Sequence, residues 1–248
     1  MAVVETERHG QIFIIRMNRP ERLNAMGREL MEALAEQWTL FHKDPDLEVA
    51  IFTGTGRGFC AGEDMKESLE EGSPTDPETT LDDPFMSQEL KKPVIAAING
   101  YAMGGGFMLV ERTDLRVASS NAIFEVSEAK RWLLGGYNHG TIANLPYPIA
   151  MEMALGFRFT AERFYELGFL NRVVEPQKLL PTALEMGEHL LTLPPAARVN
   201  TVHMMRQIRP NTTKQQDLLA DALHQHGDVS DRMESRCLLY TSPSPRDS

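Results

Sequence analysis

The stretch that most restricts the fold runs from residue 92 to residue 106 and reads KPVIAAINGYAMGGG. Its first part, KPVIAAING, is apolar almost throughout, which predicts a short strand buried on both faces, as in a parallel sheet. Three glycines, Gly104 to Gly106, follow where a helix is expected to begin. Glycine inside a helix costs about 1 kcal/mol relative to alanine, so the cluster indicates a close approach of the backbone to a ligand. Such a turn presents N–H groups to a phosphate, or to a carbonyl oxygen that becomes an oxyanion.

Other segments of the chain alternate between strand-like and helical patterns. Strand-like runs occupy 10–18, 48–56 and 113–126, the last as two short pieces around a turn. Residues 27–44 carry apolar side chains at helical spacing, and the pattern is helical again from 149 onward. This alternation predicts an α/β core followed by a helical C-terminal part.

Three local features refine this outline. Thr160 in TAER is a plausible N-cap of a helix. Residues 71–84 are acidic and proline-rich, which is typical of a surface loop. The last residues, CLLYTSPSPRDS at 237–248, are rich in serine and proline and have no periodicity. They are expected to be a disordered tail or foreign sequence joined to a truncated gene.

Composition and charge exclude several classes of function. The formal net charge of the 248-residue chain is −10, which disfavours binding to nucleic acid or to anionic membranes. Its two cysteines do not make a disulfide framework, so a reducing compartment such as the cytoplasm is expected. There is no leader-like apolar segment, no run of 18 apolar residues and no C-x-x-C or H-E-x-x-H spacing. Neither a membrane span nor a metal site is therefore expected.

A second glycine-containing turn resembles the first in its setting. The stretch GRGFCAGEDMKE at 56–67 follows a predicted buried strand and leads through Ala61 and Gly62 into a polar helix start. Two such turns can each direct one N–H group at the same oxygen atom, which would make an oxyanion hole. Neither stretch matches the G-x-G-x-x-G or G-x-x-x-x-G-K-[ST] patterns of nucleotide-binding loops, so those functions are disfavoured.

These motifs resemble the crotonase superfamily, also called the enoyl-CoA hydratase/isomerase family. The resemblance rests on GFCAGEDMKE and KPVIAAINGYAMGGG, with NRPERLNAM, FEVSEAKRWLLGG and TAERFYELGFLNRVVEP in support. It implies a core of repeated ββα units at 1–190 and a C-terminal helical oligomerisation region at 191–236. It also implies a homotrimer or hexamer and an acyl-CoA thioester substrate, whose coenzyme A is the only cofactor expected.

The resemblance also assigns roles to residues of the two turns. The oxyanion-hole N–H groups fall on Glu63 and Gly105. The backbone near Ala61, Asp64 and Met65 is expected to bind the adenine of coenzyme A. Arg22 and Lys66 are candidates for binding its phosphates, or else are solvated surface charges.

The acid/base position departs from the usual pattern of the family. Typical hydratases of the family carry one glutamate two residues after the glycines and a second one twenty residues further on. Here the first position is Met108 and the second is Glu128. A thioether cannot transfer protons, so Glu128 is predicted to be the single acid/base group. Met108 is expected to line the acyl pocket or to pack in the core.

The segment after Glu128 offers further polar candidates. Tyr137 and His139, in GGYNHGT, can donate hydrogen bonds, and His139 titrates near neutral pH. Trp132 is a candidate for the lining of the acyl pocket, although aromatic residues pack cores more often than they select substrates.

These residues are compatible with three kinds of function. The leading hypothesis is an isomerase or atypical hydratase that uses Glu128. The alternatives are a carbon–carbon lyase, hydrolase or hydratase-lyase that uses His139 or Tyr137, and a catalytically weak acyl-CoA binder. RNA binding, which one branch of the family shows, is disfavoured by the acidic composition.

Overall fold

A computed structural model describes residues 2–71, 82–131, 139 and 144–209. Trp132, Tyr137 and the tail at 237–248 lie outside these residues, as does most of the predicted loop at 71–84. The proposed boundaries at 190 and 236 stay predictions.

The larger sheet has six strands in the order β1-β2-β3-β5-β7-β10. Only the β1–β2 pair is antiparallel, and the other four neighbouring pairs are parallel. Its strands are β1 (Val4–His9), β2 (Ile12–Met17), β3 (Val49–Gly54), β5 (Val94–Ile98), β7 (Leu115–Ser119) and β10 (Arg172–Val174). The strand predicted within 92–100 is β5, and all five of its residues are buried, as expected of a central parallel strand.

A smaller sheet has four strands in the order β4-β6-β8-β9. The pairs β4–β6 and β6–β8 are parallel, and β9 closes the sheet by antiparallel pairing with β8. The strands are β4 (Gly58–Cys60), β6 (Tyr101–Met103), β8 (Ile123–Glu125) and β9 (Arg158–Thr160).

Seven α-helices are described in the resolved ranges. They are α1 (Arg28–Lys43), α2 (Met65–Glu71), α3 (Gly105–Glu111), α4 (Tyr147–Ala154), α5 (Ala161–Glu166), α6 (Leu179–Leu191) and α7 (Pro195–Gln207). At the start of α5, the Thr160 hydroxyl accepts a hydrogen bond from the Arg163 N–H group, so the predicted N-cap is confirmed. None of these helices is long and apolar enough to cross a membrane.

Alternate residues of the six-stranded sheet face two different hydrophobic clusters. Ile12 and Ile14 of β2 point to the side covered by α6, where they join Ala183 of that helix. Phe13 and Ile15 point to the larger cluster, which includes α1, α3 and the smaller sheet. This period of two is what a strand buried on both faces requires. The molecule is therefore layered, with α6 on one face of the large sheet and the small sheet on the other side.

The structure refines the sequence interpretation in two places. The two strand-like pieces of 113–126 are β7 and β8, and they belong to different sheets, so the turn between them carries the chain from one layer to the other. The strand β1 was not predicted, because its sequence VETERH is polar. An edge strand paired only with β2 needs little apolar surface, since most of it faces solvent.

Candidate active site

Three neighbouring parallel strands of the small sheet end at the same edge and deliver three of the predicted site residues. Glu63 follows β4, Gly105 follows β6, and Glu128 follows β8. Strands β4, β6 and β8 are adjacent and parallel, so their carboxyl ends meet. The sequence placed these residues in three separate motifs, and the sheet brings them together.

The first turn directs the N–H group of Glu63 away from Met26, the residue with which the turn is paired. Met26 donates its N–H to the Gly62 oxygen at 2.7 Å and accepts one from the Asp64 N–H at 2.9 Å. This pattern is a parallel bridge between Met26 and Glu63. Residues alternate in the direction of their peptide groups in such a bridge, so the Glu63 N–H points to the side opposite Met26.

The second turn explains the glycine cluster. Gly104 has a φ of +50°, a conformation that side-chain-bearing residues rarely adopt. A Cβ added at Gly105 would lie 2.3 Å from Met26 Cε and 3.9 Å from the Glu63 nitrogen. A Cβ added at Gly106 would lie 2.2 Å from the Cys60 carbonyl oxygen. Because Gly105 and Gly106 have no side chains, α3 can begin in direct contact with the first turn.

The N–H group of Gly105 is well placed to serve the same ligand as Glu63. Gly105 is the first residue of α3, where N–H groups have no acceptor within the helix. A Cβ built on the neighbouring Gly62 would lie 3.3 Å from the Gly105 nitrogen, so the two turns touch. Both predicted oxyanion-hole residues thus lie next to each other, and their role in binding an oxyanion stays a prediction.

Glu128 lies beside this point. Its Oε1 atom would be 3.6 Å from a Cβ placed on Gly104. Its other oxygen, Oε2, is buried and has no hydrogen-bond partner among the described residues. Buried polar atoms are nearly always paired in folded proteins, so this unpaired oxygen is available to accept a hydrogen bond or a proton from a ligand.

His139 lies between two carboxylates, and one of them was not predicted from the sequence. Its Nδ1 atom is 2.5 Å from Glu111 Oε2, and its Nε2 atom is 3.3 Å from Glu128 Oε1. Burial lowers the pKa of His139, but the negative charges of Glu111 and Glu128 outweigh burial and raise it to about 10. The two neighbouring carboxylates therefore favour the imidazolium form of His139.

Glu111 is the site residue that the sequence interpretation missed. It ends α3, and only 1% of it is exposed. Burial raises the pKa of its carboxyl group, while His139, Arg116 and Arg112 act in the opposite direction. A glutamate on the buried face of an otherwise apolar helix, GGFMLVE, is the signal that would have revealed it.

Met108 is half-buried on α3 and packs against the larger hydrophobic cluster. It supplies no carboxylate at this position. The prediction that it lines an acyl pocket remains open, because both a pocket wall and a core position fit this packing.

Three of the five predicted coenzyme A residues, Arg22, Asp64 and Lys66, line a cleft of about 510 Å³. Arg22 lies there with Lys66, but Arg22 is engaged by the buried carboxylate of Asp64, with Nη2 2.7 Å from Oδ1. The N–H groups of Ala61 and Asp64 also have partners, the carbonyl oxygens of Leu23 and Met26. Met65 begins α2 and does not line this cleft. The predicted roles of these residues in binding coenzyme A stay predictions.

Comparisons with known proteins identify the family of this chain. The family model for enoyl-CoA hydratase/isomerase matches residues 7–239. Enoyl-CoA hydratase EchA19 of Mycobacterium tuberculosis is 35% identical over 79% of this chain and 80% of its own length. The (E)-benzylidenesuccinyl-CoA hydratase of Thauera aromatica is 36% identical over 77% of each chain. Mevalonyl-coenzyme A hydratase sidH of Aspergillus fumigatus is 39% identical over 71% of this chain and 67% of its own.

Solved structures show the same fold. A probable enoyl-CoA hydratase/isomerase from Mycobacterium abscessus has a TM-score of 0.75 at 34% identity and covers 90% of this chain and 89% of its own. A carnitinyl-CoA hydratase from Mycobacterium avium has a TM-score of 0.81 at 25% identity, over 97% of this chain and 95% of its own. The chain is an enzyme of the hydratase/isomerase type and belongs to the enoyl-CoA hydratase/isomerase family of the crotonase superfamily.

Proposed function

We propose that this enzyme hydrates or isomerises an enoyl-CoA thioester through an enolate, with Glu128 as the only acid/base carboxylate. The observation that supports this most directly is the Glu128 carboxylate next to the second glycine turn: its Oε1 atom would lie 3.6 Å from a Cβ on Gly104, and its Oε2 atom is buried without a partner among the described residues. A carboxylate close to the turn that carries the Gly105 N–H group supports enolate chemistry, which needs a proton-transferring group and hydrogen-bond donors for the thioester oxygen.

The N–H groups of Glu63 and Gly105 would bind the thioester oxygen. Negative charge grows on that oxygen when the α-carbon loses a proton or when water attacks the β-carbon. N–H groups already aimed at the oxygen stabilise this charge, and loss of one such donor typically costs about 10²–10³ in rate. The side chain of Glu63 is not needed for this role, because only its backbone N–H group is used. Its carboxylate instead accepts a hydrogen bond from Ser68 Oγ at 2.6 Å.

A single carboxylate can complete either reaction. In hydration, Glu128 takes a proton from water while the water oxygen bonds to the β-carbon, and the double-bond electrons move to the thioester oxygen. Glu128 then returns the proton to the α-carbon as the enolate collapses. In isomerisation, Glu128 removes one carbon-bound proton and returns it to another carbon of the same dienolate. In both reactions the protons and electrons balance, and neither step requires a metal or a redox cofactor.

Hydration is favoured by the names of the relatives, three of which are hydratases of different acyl-CoA thioesters. Isomerisation is favoured by Met108, which removes the second carboxylate of the typical hydratase. The cleft with Arg22 and Lys66 would take the phosphates of coenzyme A. A homotrimer or hexamer, a cytoplasmic location and the absence of other cofactors remain expectations.

The test compares wild type with Glu128→Gln in deuterated water, using crotonyl-CoA and a 3-enoyl-CoA as probes and mass spectrometry of the products. Wild type should add water to the substrate, move its double bond or introduce deuterium at carbon. The rate of that reaction should be at least 10²-fold lower in Glu128→Gln. Glu166→Gln, an exposed carboxylate on α5, is the matched control. Undiminished turnover by Glu128→Gln would refute the proposal, and binding without turnover by wild type would identify an acyl-CoA binder.

A further inference from the structure

The geometry points to Glu111 and His139 as positioning residues that orient the carboxylate of Glu128 toward the oxyanion-hole turns. This inference rests on the proposed function, because it concerns how the acid/base group is held. It adds two residues that lie 17 positions upstream and 11 downstream of Glu128 in the chain.

Both ring nitrogens of His139 face carboxylates. Nδ1 lies 2.5 Å from Glu111 Oε2, and Nε2 lies 3.3 Å from Glu128 Oε1. An imidazolium ion has two N–H groups and no acceptor. Here Nδ1 is hydrogen-bonded to Glu111, and Nε2 forms an ion pair with Glu128. Because both ring nitrogens face carboxylates, the inferred role of His139 is to act through Glu128.

The two oxygens of Glu128 have different surroundings. Oε1 is held by His139, whereas Oε2 is buried without a partner among the described residues. The ion pair on Oε1, the oxygen that faces Gly104, restricts rotation of the carboxylate, and Oε2 is left to accept and return the proton. The same division between a reacting group and an orienting partner is found in catalytic triads.

Glu111 fixes His139 in turn. The end of α3 places Glu111 in the core, and His139 is packed at its other side against the ring of Phe107, 5.8 Å between centroids. The charged groups that face His139 from the described elements are Glu111 on α3 and Glu128 after β8. Arg112 and Arg116 act on Glu111. The negative charge of Glu111 favours the protonated form of His139, and the hydrogen bond between them fixes the orientation of the ring.

The orientation of Glu128 matters more because α3 carries Met108 where typical hydratases of the family have a second carboxylate. In a site with two carboxylates, the work of holding water and moving protons is shared. Here the neighbouring α3 position supplies a thioether, and the Glu63 carboxylate is engaged by Ser68. The orientation of one carboxylate must then set the rate, and a misplacement of about 1 Å can cost about 10²-fold.

The experiment measures kcat and KM for crotonyl-CoA from pH 6.5 to 10.5 in wild type, His139→Gln and Glu111→Gln, with His42→Gln and Glu166→Gln as controls at exposed positions. We expect kcat to fall about 10²-fold in His139→Gln with KM changed less than about threefold. Wild-type kcat should decline near pH 10, and this decline should be absent in His139→Gln, since glutamine does not titrate. In Glu111→Gln, the decline should move to lower pH.

Thermal denaturation of each variant separates loss of orientation from loss of folding. If His139→Gln and Glu111→Gln keep wild-type kcat and its pH profile, the inference is overturned. If either variant does not fold, the wild-type profile decides, because a kcat that stays flat through pH 10.5 also overturns it. Loss of turnover in Glu128→Gln together with normal kcat in both variants would reject this inference alone, whereas normal turnover in Glu128→Gln would reject the proposed function.

Discussion

Met26 Cε occupies the space next to Gly105 that a side chain would need, and a Cβ at Gly105 would come within 2.3 Å of it. The two residues belong to different motifs, one before α1 and the other at the start of α3. The same Met26 holds the first turn by accepting the Asp64 N–H and donating to the Gly62 oxygen. Met26 therefore links the two turns whose N–H groups are proposed to bind the thioester oxygen, and this link can be tested.

Gly105→Ala should reduce kcat/KM by about 10²-fold, because displacement of one oxyanion donor costs that much. The added methyl group must push Met26 aside or shift the Gly105 N–H group. In the double variant Gly105→Ala/Met26→Ala the steric conflict is removed, so activity should recover in part relative to Gly105→Ala. Steady-state kinetics of the double variant and of Met26→Ala alone provide the comparison. Equal activity of Gly105→Ala and wild type would contradict this role of Gly105.

Met108→Glu should increase the ratio of hydration to double-bond migration at least severalfold. The substitution introduces a carboxylate on α3, two residues after the glycines, and a second group can then hold and activate the attacking water. The measurement is the ratio of hydrated to isomerised product from crotonyl-CoA and a 3-enoyl-CoA. Met108→Gln, which has a similar shape but cannot transfer protons, is the control. An unchanged product ratio in Met108→Glu would show that Met108 does not face the reacting carbons.

Stability should decline at alkaline pH in a way that depends on His139. The folded-state pKa of His139 is about 10, above its ordinary value of 6.5. A raised pKa contributes stability that is fully present below about pH 6.5 and is lost as the pH rises toward 10. The melting temperature of wild type should therefore fall more between pH 7 and pH 10 than that of His139→Gln. Parallel curves for the two proteins would mean that His139 is not charged in the folded state.

Arg206→Ala should destabilise the protein by about 3 kcal/mol, the cost of leaving a largely buried carboxylate without its main partner. Arg206 Nη2 lies 2.6 Å from Asp114 Oδ2, and both side chains are mostly buried. Arg172→Ala is the matched control, since Arg172 and Glu185 form an exposed pair at 3.5 Å, which is worth less than about 1 kcal/mol. Urea denaturation measures both. Similar losses in the two variants would mean that Arg206 does not anchor α7 to the core.

Arg22→Gln should raise KM for an acyl-CoA about tenfold with little change in kcat, because a charge-assisted hydrogen bond contributes about 1.5 kcal/mol to binding. Arg22 is paired with Asp64 in the absence of ligand, so part of its charge is already balanced. Exposed Lys178, at the start of α6, supplies the control Lys178→Gln. An unchanged KM in Arg22→Gln would show that Arg22 serves Asp64 rather than coenzyme A.

Several features were accessible from the sequence because they depend on local patterns. The buried strand β5, the amphipathic helix α1 and the Thr160 cap were predicted with boundaries within two residues of those observed. The polar edge strand β1 was not, because its sequence lacks alternation of apolar residues. The assignment of β7 and β8 to different sheets was also inaccessible, since strand pairing depends on distant segments rather than on the strands themselves.

The sequence by itself determined the family, the layered α/β class and the identity of the two glycine turns and Glu128, because these follow from motifs contiguous in the chain. Only the tertiary structure decided that three parallel strands deliver Glu63, Gly105 and Glu128 to one edge. It also decided that His139 bridges Glu128 to the buried Glu111. The physical reason is that the distances between these groups are set by strand pairing and helix packing. The charge state of His139 follows from those distances and from burial, and neither can be read along the chain.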